Sequence, residues 1–148
     1  MANHYFNADF MARQAYAGNI SVVKSLVEEG CPFDQKVMSQ AALKGHYEIV
    51  RYLAGKGFTP NETTFENAIL SKNRQLITWL HHENCPWDAK SCANAVLVED
   101  LQLLKWLRKQ GCPWDERTYA AGVLVRNSEI SEYLKKEDCP KYQISLLE

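Results

Sequence analysis

Cysteine is the residue whose type and spacing most suggest chemistry in this sequence. Four of the five cysteines each precede a proline and recur in one fixed register: Cys31, Cys85, Cys112 and Cys139. Four thiolates are the right number of ligands for a structural zinc ion. The equal spacing argues against such a site. Equivalent positions in stacked helices lie about 8–10 Å apart, whereas a zinc–sulfur bond is about 2.3 Å long and the Cα atoms of a disulfide lie within about 7 Å. We therefore predict reduced thiols that pack into turns, and we expect no metal and no cofactor.

The histidines and the fifth cysteine, Cys92, give no catalytic or metal-binding set either. The sequence has no glycine-rich phosphate loop and no nucleophile elbow. His46 stands at a predicted turn between two helices, where we expect it to make a structural hydrogen bond. Cys92 occupies a core position as a small hydrophobic residue. The sequence therefore predicts that the protein is not an enzyme.

The cysteines mark a repeat that covers almost the whole chain. The segment GCPFD at residues 30–34 returns as GFTPN at 57–61, NCPWD at 84–88, GCPWD at 111–115 and DCP at 138–140. Every step has the same length, and no insertion breaks the register. The predicted units are about 7–33, 34–60, 61–87, 88–114 and 115–141, followed by a C-terminal tail at 142–148. We predict a single repeat domain over residues 1–148.

Two helices fit each unit, because the apolar residues recur with helical and not with strand periodicity. The first helix begins at a column of side chains that suit an N-cap: Asn7, Asp34, Asn61, Asp88 and Asp115. The second helix buries a pair of apolar residues, such as Val22 and Val23 in the first unit, and ends at the Gly or Asn before Cys-Pro. Neither helix can hide its apolar stripe alone, so the units must stack. The prediction is an all-α solenoid of five stacked helix-turn-helix repeats.

The second repeat, residues 34–60, resembles a known family. Its run AALKGHYEIVRYL at residues 41–53 is similar to the core of the ankyrin repeat. Ankyrin units have about 33 residues, and the six that are missing here fall where that family has a β-hairpin finger. Short units with Cys-Pro-Trp-Asp resemble the ankyrin-like arrays of giant DNA viruses of amoebae and of some protists. The resemblance implies an ankyrin-type fold without long β-hairpin fingers and a non-catalytic protein-protein interaction scaffold, which binds its partner on the concave, first-helix face.

An apolar row on the first helices is the main candidate for the binding surface: Tyr16, Leu43, Leu70, Leu97 and Leu124. On a helical wheel the row lies about 140° from the predicted core column. Two interpretations stay open: the row is buried between adjacent first helices, or it is an exposed contact strip. A polar row runs beside it: Arg13, Gln40, Asn67 and Asn94. The loop aromatics Trp87 and Trp114 are either wedges between units or interface anchors.

Charge gives the expectations about partners. The formal net charge is −1, with 17 basic and 18 acidic residues interspersed, so the chain as a whole has no electrostatic footprint for nucleic acid or for an anionic membrane. We expect neither as a partner, and we expect the charged residues of the second helices, such as Lys105, Arg108 and Lys109, to form a solvated outer face. The expected partner is an unidentified protein. The alternative function is a structural, self-assembling component associated with a virion.

The expected location follows from what the sequence lacks. It has no secretory signal and no window of about 18 apolar residues, and an odd number of cysteines favours reduced thiols. We expect a cytoplasmic protein, in the host cytoplasm if it is viral, and a monomer rather than a homo-oligomer.

Overall fold

The computed structural model of the chain describes residues 7–142. Ten α-helices span this part of the chain: α1 Ala8–Ala17, α2 Ile20–Glu28, α3 Gln35–Leu43, α4 Tyr47–Gly55, α5 Glu62–Ser71, α6 Arg74–His82, α7 Ala89–Leu97, α8 Leu101–Lys109, α9 Glu116–Val125 and α10 Ser128–Lys136. They form five helix pairs, and residues 7–142 contain no strand and hence no β-hairpin finger. The predicted all-α repeat fold is confirmed. Apart from Tyr142, the predicted tail at 142–148 lies outside the described residues.

The chain divides into two compact units, Met1–Pro86 and Trp87–Glu148. The first unit contains α1 to α6, with the first helices α1, α3 and α5 packed side by side. The second unit contains α7 to α10, and its first helices α7 and α9 pack in the same way. Each first helix also packs against the second helix that follows it. A single domain over residues 1–148 remains a prediction.

The predicted N-cap column begins all five first helices. In each case the cap side chain accepts a hydrogen bond from a backbone N–H two or three residues later, as Asn61 does from Thr64 at 3.1 Å and Asp88 does from Lys90 at 2.9 Å. The other three caps are Asn7, Asp34 and Asp115. Each such cap contributes about 1 kcal/mol to stability. One polar residue per repeat therefore fixes where the first helix begins.

Every second helix ends through the same backbone device. The residue before each Cys-Pro, or its equivalent, has a positive φ: Gly30, Gly57, Asn84, Gly111 and Asp138. The next residue then donates its N–H to a carbonyl five residues back, as Cys31 does to Leu26 and Cys112 does to Leu107, both at 2.9 Å. This pattern closes the helix in the manner of a Schellman motif. The turns recur once in every repeat because the residues that permit them do.

Aliphatic side chains of the second helices form the core together with small residues of the first helices. Val23, Val50 and Ile77 in the first unit and Leu104 in the second stand at equivalent positions of their repeats, and all four are completely buried. The position before it is also buried in later repeats, but Val22 is 36% exposed. The prediction that Val22 is buried is wrong, because the first repeat has no described neighbour on its N-terminal side.

Three of the four Cys-Pro cysteines are buried in turns, as predicted. The thiols of Cys85, Cys112 and Cys139 lie 3.4, 3.6 and 3.8 Å from the backbone carbonyl of the N-cap residue 24 positions earlier. Burial raises the pKa of Cys85 to about 12 and that of Cys139 to about 11, so both thiols are protonated at neutral pH. Cys92 is completely buried in the core. Each of the three turn cysteines therefore joins the end of its own repeat to the start of its own first helix.

Candidate functional site

The apolar row lies on one side of the first helices in each of the two compact units, and we call that side of each unit its first-helix face. In the first unit Tyr16 is 44% exposed, Leu70 is 37% exposed and Leu43 is half-buried. In the second unit Leu97 is 46% exposed and Leu124 is 75% exposed. The row is therefore not sealed between adjacent first helices. Of the two interpretations of the sequence, the structure favours the exposed strip.

The polar row runs beside the apolar row and has a mixed role. Arg13 is exposed, whereas Gln40, Asn67 and Asn94 are half-buried. The amide nitrogen of Asn67 donates to the carbonyl of Ser39 at 3.0 Å, which links α5 to α3. At least one amide of the row thus holds neighbouring first helices together, while Arg13 extends into solvent.

A groove of about 590 Å³ opens on the first-helix face of the first unit. Its lining includes three candidate site residues, Arg13, Tyr16 and Gln40. Lys36 and Asp9, which also line it, form an ion pair at 2.9 Å that connects α3 to α1. The hydrogen bond and charge of Lys36 hold the pKa of the Asp9 carboxyl below its usual value. The groove offers an aromatic ring, an amide and cations to a partner side chain.

Hydrogen bonds between repeats hold this face in register. The Nε2 atom of His46 lies 2.8 Å from the carbonyl oxygen of Tyr16, itself a residue of the apolar row. The amide nitrogen of Asn73, one repeat later, donates to the carbonyl of Gly45 at 2.7 Å. The prediction of a structural hydrogen bond at His46 is confirmed. The end of each of these first helices is thus tied to the next repeat.

The loop aromatics Trp87 and Trp114 are half-buried. The guanidinium of Arg108 lies 4.2 Å from the centroid of the Trp114 ring, and the ring of Tyr133 meets Trp114 edge-on at 6.1 Å. Phe33, at the equivalent position of the first repeat, packs on Phe58 with centroids 4.0 Å apart. For Trp114, these contacts favour the wedge interpretation. A direct role of Trp87 and Trp114 in binding stays a prediction.

Sequence reasoning missed clusters of cations and aromatic rings on the second helices. In the second unit a cavity of about 320 Å³ is lined by Lys105, Arg108, Lys109, Trp114, Tyr133 and Glu137. In the first unit a cavity of about 340 Å³ includes Tyr52, with the ammonium groups of Lys24 and Lys56 at 5.4 and 5.5 Å from its ring centroid. The available signal was the position before the aromatic column of the second helices, which is basic in three of the five repeats, as Lys24, Arg51 and Lys105.

Within residues 7–142, no group of three or more His, Cys, Asp or Glu side chains is placed to hold a metal ion. None of the helices in that same stretch has the length and apolar character needed to cross a membrane.

Comparison with known proteins gives the fold but no family. No protein-family model and no curated protein matches the sequence. Among solved structures, the chain is similar to the pentatricopeptide repeat protein PPR10 in complex with an 18-nt psaJ RNA element, with a TM-score of 0.50 and 13% identity. The match covers 93% of this chain and 26% of that chain. A cysteine-to-serine variant of that protein with the same RNA element gives the same values. The similarity shows a helical-repeat fold, and neither ankyrin membership nor a likeness to giant-virus arrays gains support.

The prediction that nucleic acid is excluded as a partner is wrong. It relied on the net charge of the whole chain, yet both of these helical-repeat structures are complexes with RNA. Net charge averages over the surface and hides local accumulations. The cavity of the second unit has three cations, Lys105, Arg108 and Lys109, against the single carboxylate of Glu137.

Proposed function

We propose that this protein is a non-catalytic helical-repeat scaffold that binds a partner protein through the first-helix face and the loops between repeats. The exposure of the apolar row carries this proposal. Leu97 is 46% exposed, whereas Cys92 and Val96 on the same helix are completely buried. The row is thus not needed to complete the core of the repeats. Apolar side chains that recur on one exposed face are typical of a protein interaction surface.

The geometry of the row indicates the form of the partner. Complete burial of a leucine contributes about 1.5–3 kcal/mol, so covering the exposed half of one such side chain contributes about 1 kcal/mol. Association itself costs at least about 4 kcal/mol. A partner must therefore contact several repeats at once, as an extended segment or a helix lying across the first helices does. In the first unit, the groove next to Tyr16 offers Arg13 to an acidic side chain of that partner.

A second candidate function is binding of single-stranded RNA. The solved structures of PPR10 favour it, because they show a helical-repeat fold in complex with an RNA element. Recognition of single strands in general combines cations for the phosphates with aromatic side chains that stack on bases. The cation–aromatic cavity of the second unit supplies both kinds of group.

A capture experiment distinguishes the two candidates. The wild-type chain, the variant Leu70→Glu/Leu97→Glu and the control variant Thr78→Glu/Gln102→Glu are immobilised and exposed to cell lysate with and without ribonuclease. The control adds the same charge at exposed second-helix positions, one in each unit. We expect a protein that resists ribonuclease, binds the wild type and the control, and is lost from the leucine variant. Circular dichroism confirms that all three chains fold.

Three results would contradict the protein scaffold. If the leucine variant captures the protein as well as the wild type does, the first-helix face is not the binding surface. Loss of the captured material on ribonuclease treatment makes RNA the partner. If the wild type retains only further copies of itself, the self-assembling component replaces the adaptor.

A further inference from the structure

A concentration of positive charge outside the first-helix face lies in the second unit. We call the residues that line this cavity, Lys105, Arg108, Lys109, Trp114, Tyr133 and Glu137, the α8–α10 cluster. Helix α8, with the sequence LQLLKWLRK, has three cations and no acidic residue, whereas α4 and α10 each contain at least one acidic residue. Cations in the last turn of a helix interact favourably with the negative end of the helix dipole. That effect accounts for Arg108 and Lys109 but not for Lys105, which stands a turn earlier.

The cations of the cluster are arranged around aromatic rings. Arg108 stacks on Trp114 and also donates from Nη1 to the carbonyl of Cys112 at 2.6 Å, so its guanidinium is fixed in place by neutral groups. The ammonium of Lys105 lies 5.6 Å from the centroid of the Tyr133 ring. Burial and the charge of Glu137 raise the pKa of Tyr133, so its phenol is protonated and can donate a hydrogen bond. The cluster thus presents exposed positive charge beside flat apolar faces.

This combination fits one kind of ligand better than others. An acidic peptide would use the cations, but it offers the rings no flat group on which to stack. A single nucleic-acid strand offers both phosphates and the faces of unpaired bases. We propose that the α8–α10 cluster binds single-stranded RNA, with Lys105 and Lys109 at phosphates and a base against the rings of Trp114 and Tyr133, which are both partly exposed. This site rests on the second candidate function and gives it a location on the second helices.

The first unit provides a matched control. Its equivalent cavity has the same balance of charge, with the cations Lys24, Arg51 and Lys56 and the carboxylate of Glu48. Two ammonium groups lie over the Tyr52 ring, which is the one aromatic ring in the described lining of that cavity, whereas the α8–α10 cluster has two. Neutralising two cations here changes the net charge of the chain as much as neutralising Lys105 and Lys109. The two double variants should therefore differ in RNA affinity only if the cations of the α8–α10 cluster form a local binding site.

The test is binding of a fluorescein-labelled single-stranded RNA of about 16 nucleotides, measured by anisotropy over a range of KCl concentrations. The proteins are the wild type, Lys105→Gln/Lys109→Gln and the control Lys24→Gln/Arg51→Gln. Each phosphate contact to a single strand contributes about 0.7 to the slope of log K against log salt. Loss of two contacts should reduce the slope by about 1.4 and weaken binding about twentyfold at roughly 0.1 M salt. The control should bind as the wild type does. All the substituted residues are exposed, and circular dichroism checks that the fold is unchanged.

The possible failures are separable. If the wild type binds RNA and both double variants bind it equally well, the α8–α10 cluster is not the site, although the RNA-binding function stands. If the wild type binds no RNA even at low salt, the RNA-binding function fails together with this site. Binding of duplex RNA as tightly as the single strand would also overturn the proposal, because paired bases cannot stack on Trp114 or Tyr133.

Discussion

The contact between Gly18 and His46 provides a quantitative test of how the first two repeats stack. Gly18 ends α1 with φ of 84°, and a Cβ atom added there would lie 2.7 Å from Cε1 of the His46 ring. The ring cannot move aside without losing its hydrogen bond to Tyr16. Gly30 has a similar φ of 75°, but an added Cβ would meet nothing within 4 Å. The two glycines thus separate backbone strain from the steric clash.

The expected free energies of unfolding follow from that geometry. Alanine in the left-handed region costs about 1–2 kcal/mol, partly offset by about 0.4–1 kcal/mol from the stiffer unfolded chain, so Gly30→Ala should destabilise by about 1 kcal/mol. Gly18→Ala adds an overpacking cost of about 1–3 kcal/mol. Removal of the ring in His46→Ala should cost about 0.5–1.5 kcal/mol through the lost hydrogen bond. In the His46→Ala background, Gly18→Ala should cost no more than Gly30→Ala does.

Urea denaturation of the four variants and the wild type measures these differences, and the double-mutant cycle isolates the clash. Equal losses for Gly18→Ala and Gly30→Ala would refute the reasoning. So would a cycle with no coupling between Gly18 and His46, because the ring would then not occupy the space next to Gly18.

The other predictions concern the core, the caps and the thiols. Leu104→Ala should lower the free energy of unfolding by about 2–5 kcal/mol and Leu97→Ala by less than about 1 kcal/mol, because Leu104 is completely buried and Leu97 is 46% exposed. Equal losses in urea denaturation would show that Leu97 belongs to the core and not to an exposed row. Asn73→Ala should cost about 1.5–3 kcal/mol, because Asn73 both caps α6 and bonds to the preceding repeat. Asn19→Ala should change stability by less than about 0.5 kcal/mol, because Asn19 makes no cap hydrogen bond. Burial raises the pKa of Cys85 from 9.0 to about 12, so its contribution to stability should be complete below pH 9 and be lost as the pH rises toward 12. Between pH 9 and 12 the urea midpoint of Cys85→Ala should therefore fall less than that of the wild type. Parallel pH profiles of the two proteins would show that the thiol is not buried.

The repeat architecture could be predicted because local rules determine it. An Asx side chain caps a helix through its own hydrogen bond, and a glycine or asparagine before Cys-Pro takes the left-handed conformation that ends one. Each signal is complete within one turn of the chain; the Asx cap recurs in all five repeats, and Gly or Asn before Cys-Pro recurs in three of them. The helix boundaries at Asn61 and Asn84 therefore follow from sequence alone.

Exposure and local charge could not be predicted in the same way. Whether Leu97 is exposed depends on how closely α7 and α9 approach, which the pattern of one helix does not determine. Val22 belongs to a buried column by pattern, but only a preceding repeat could cover it. The position of Lys105 next to Tyr133, one repeat away, is likewise a result of stacking. The net charge of the chain does not tell where the charged side chains lie. The exclusion of nucleic acid, which relied on net charge, was therefore incorrect.

Site-specific photo-crosslinking in cells tests the central claim, that the first-helix face contacts a partner protein, most directly. A photo-reactive amino acid is placed at Leu70 or Leu97 on the first-helix face, and at Thr78 or Gln102 on the second helices as controls. We predict crosslinks to one partner protein from Leu70 and Leu97 and none to it from Thr78 or Gln102. Crosslinks to that protein only from the control positions, or no protein crosslink from Leu70 and Leu97, would contradict the account.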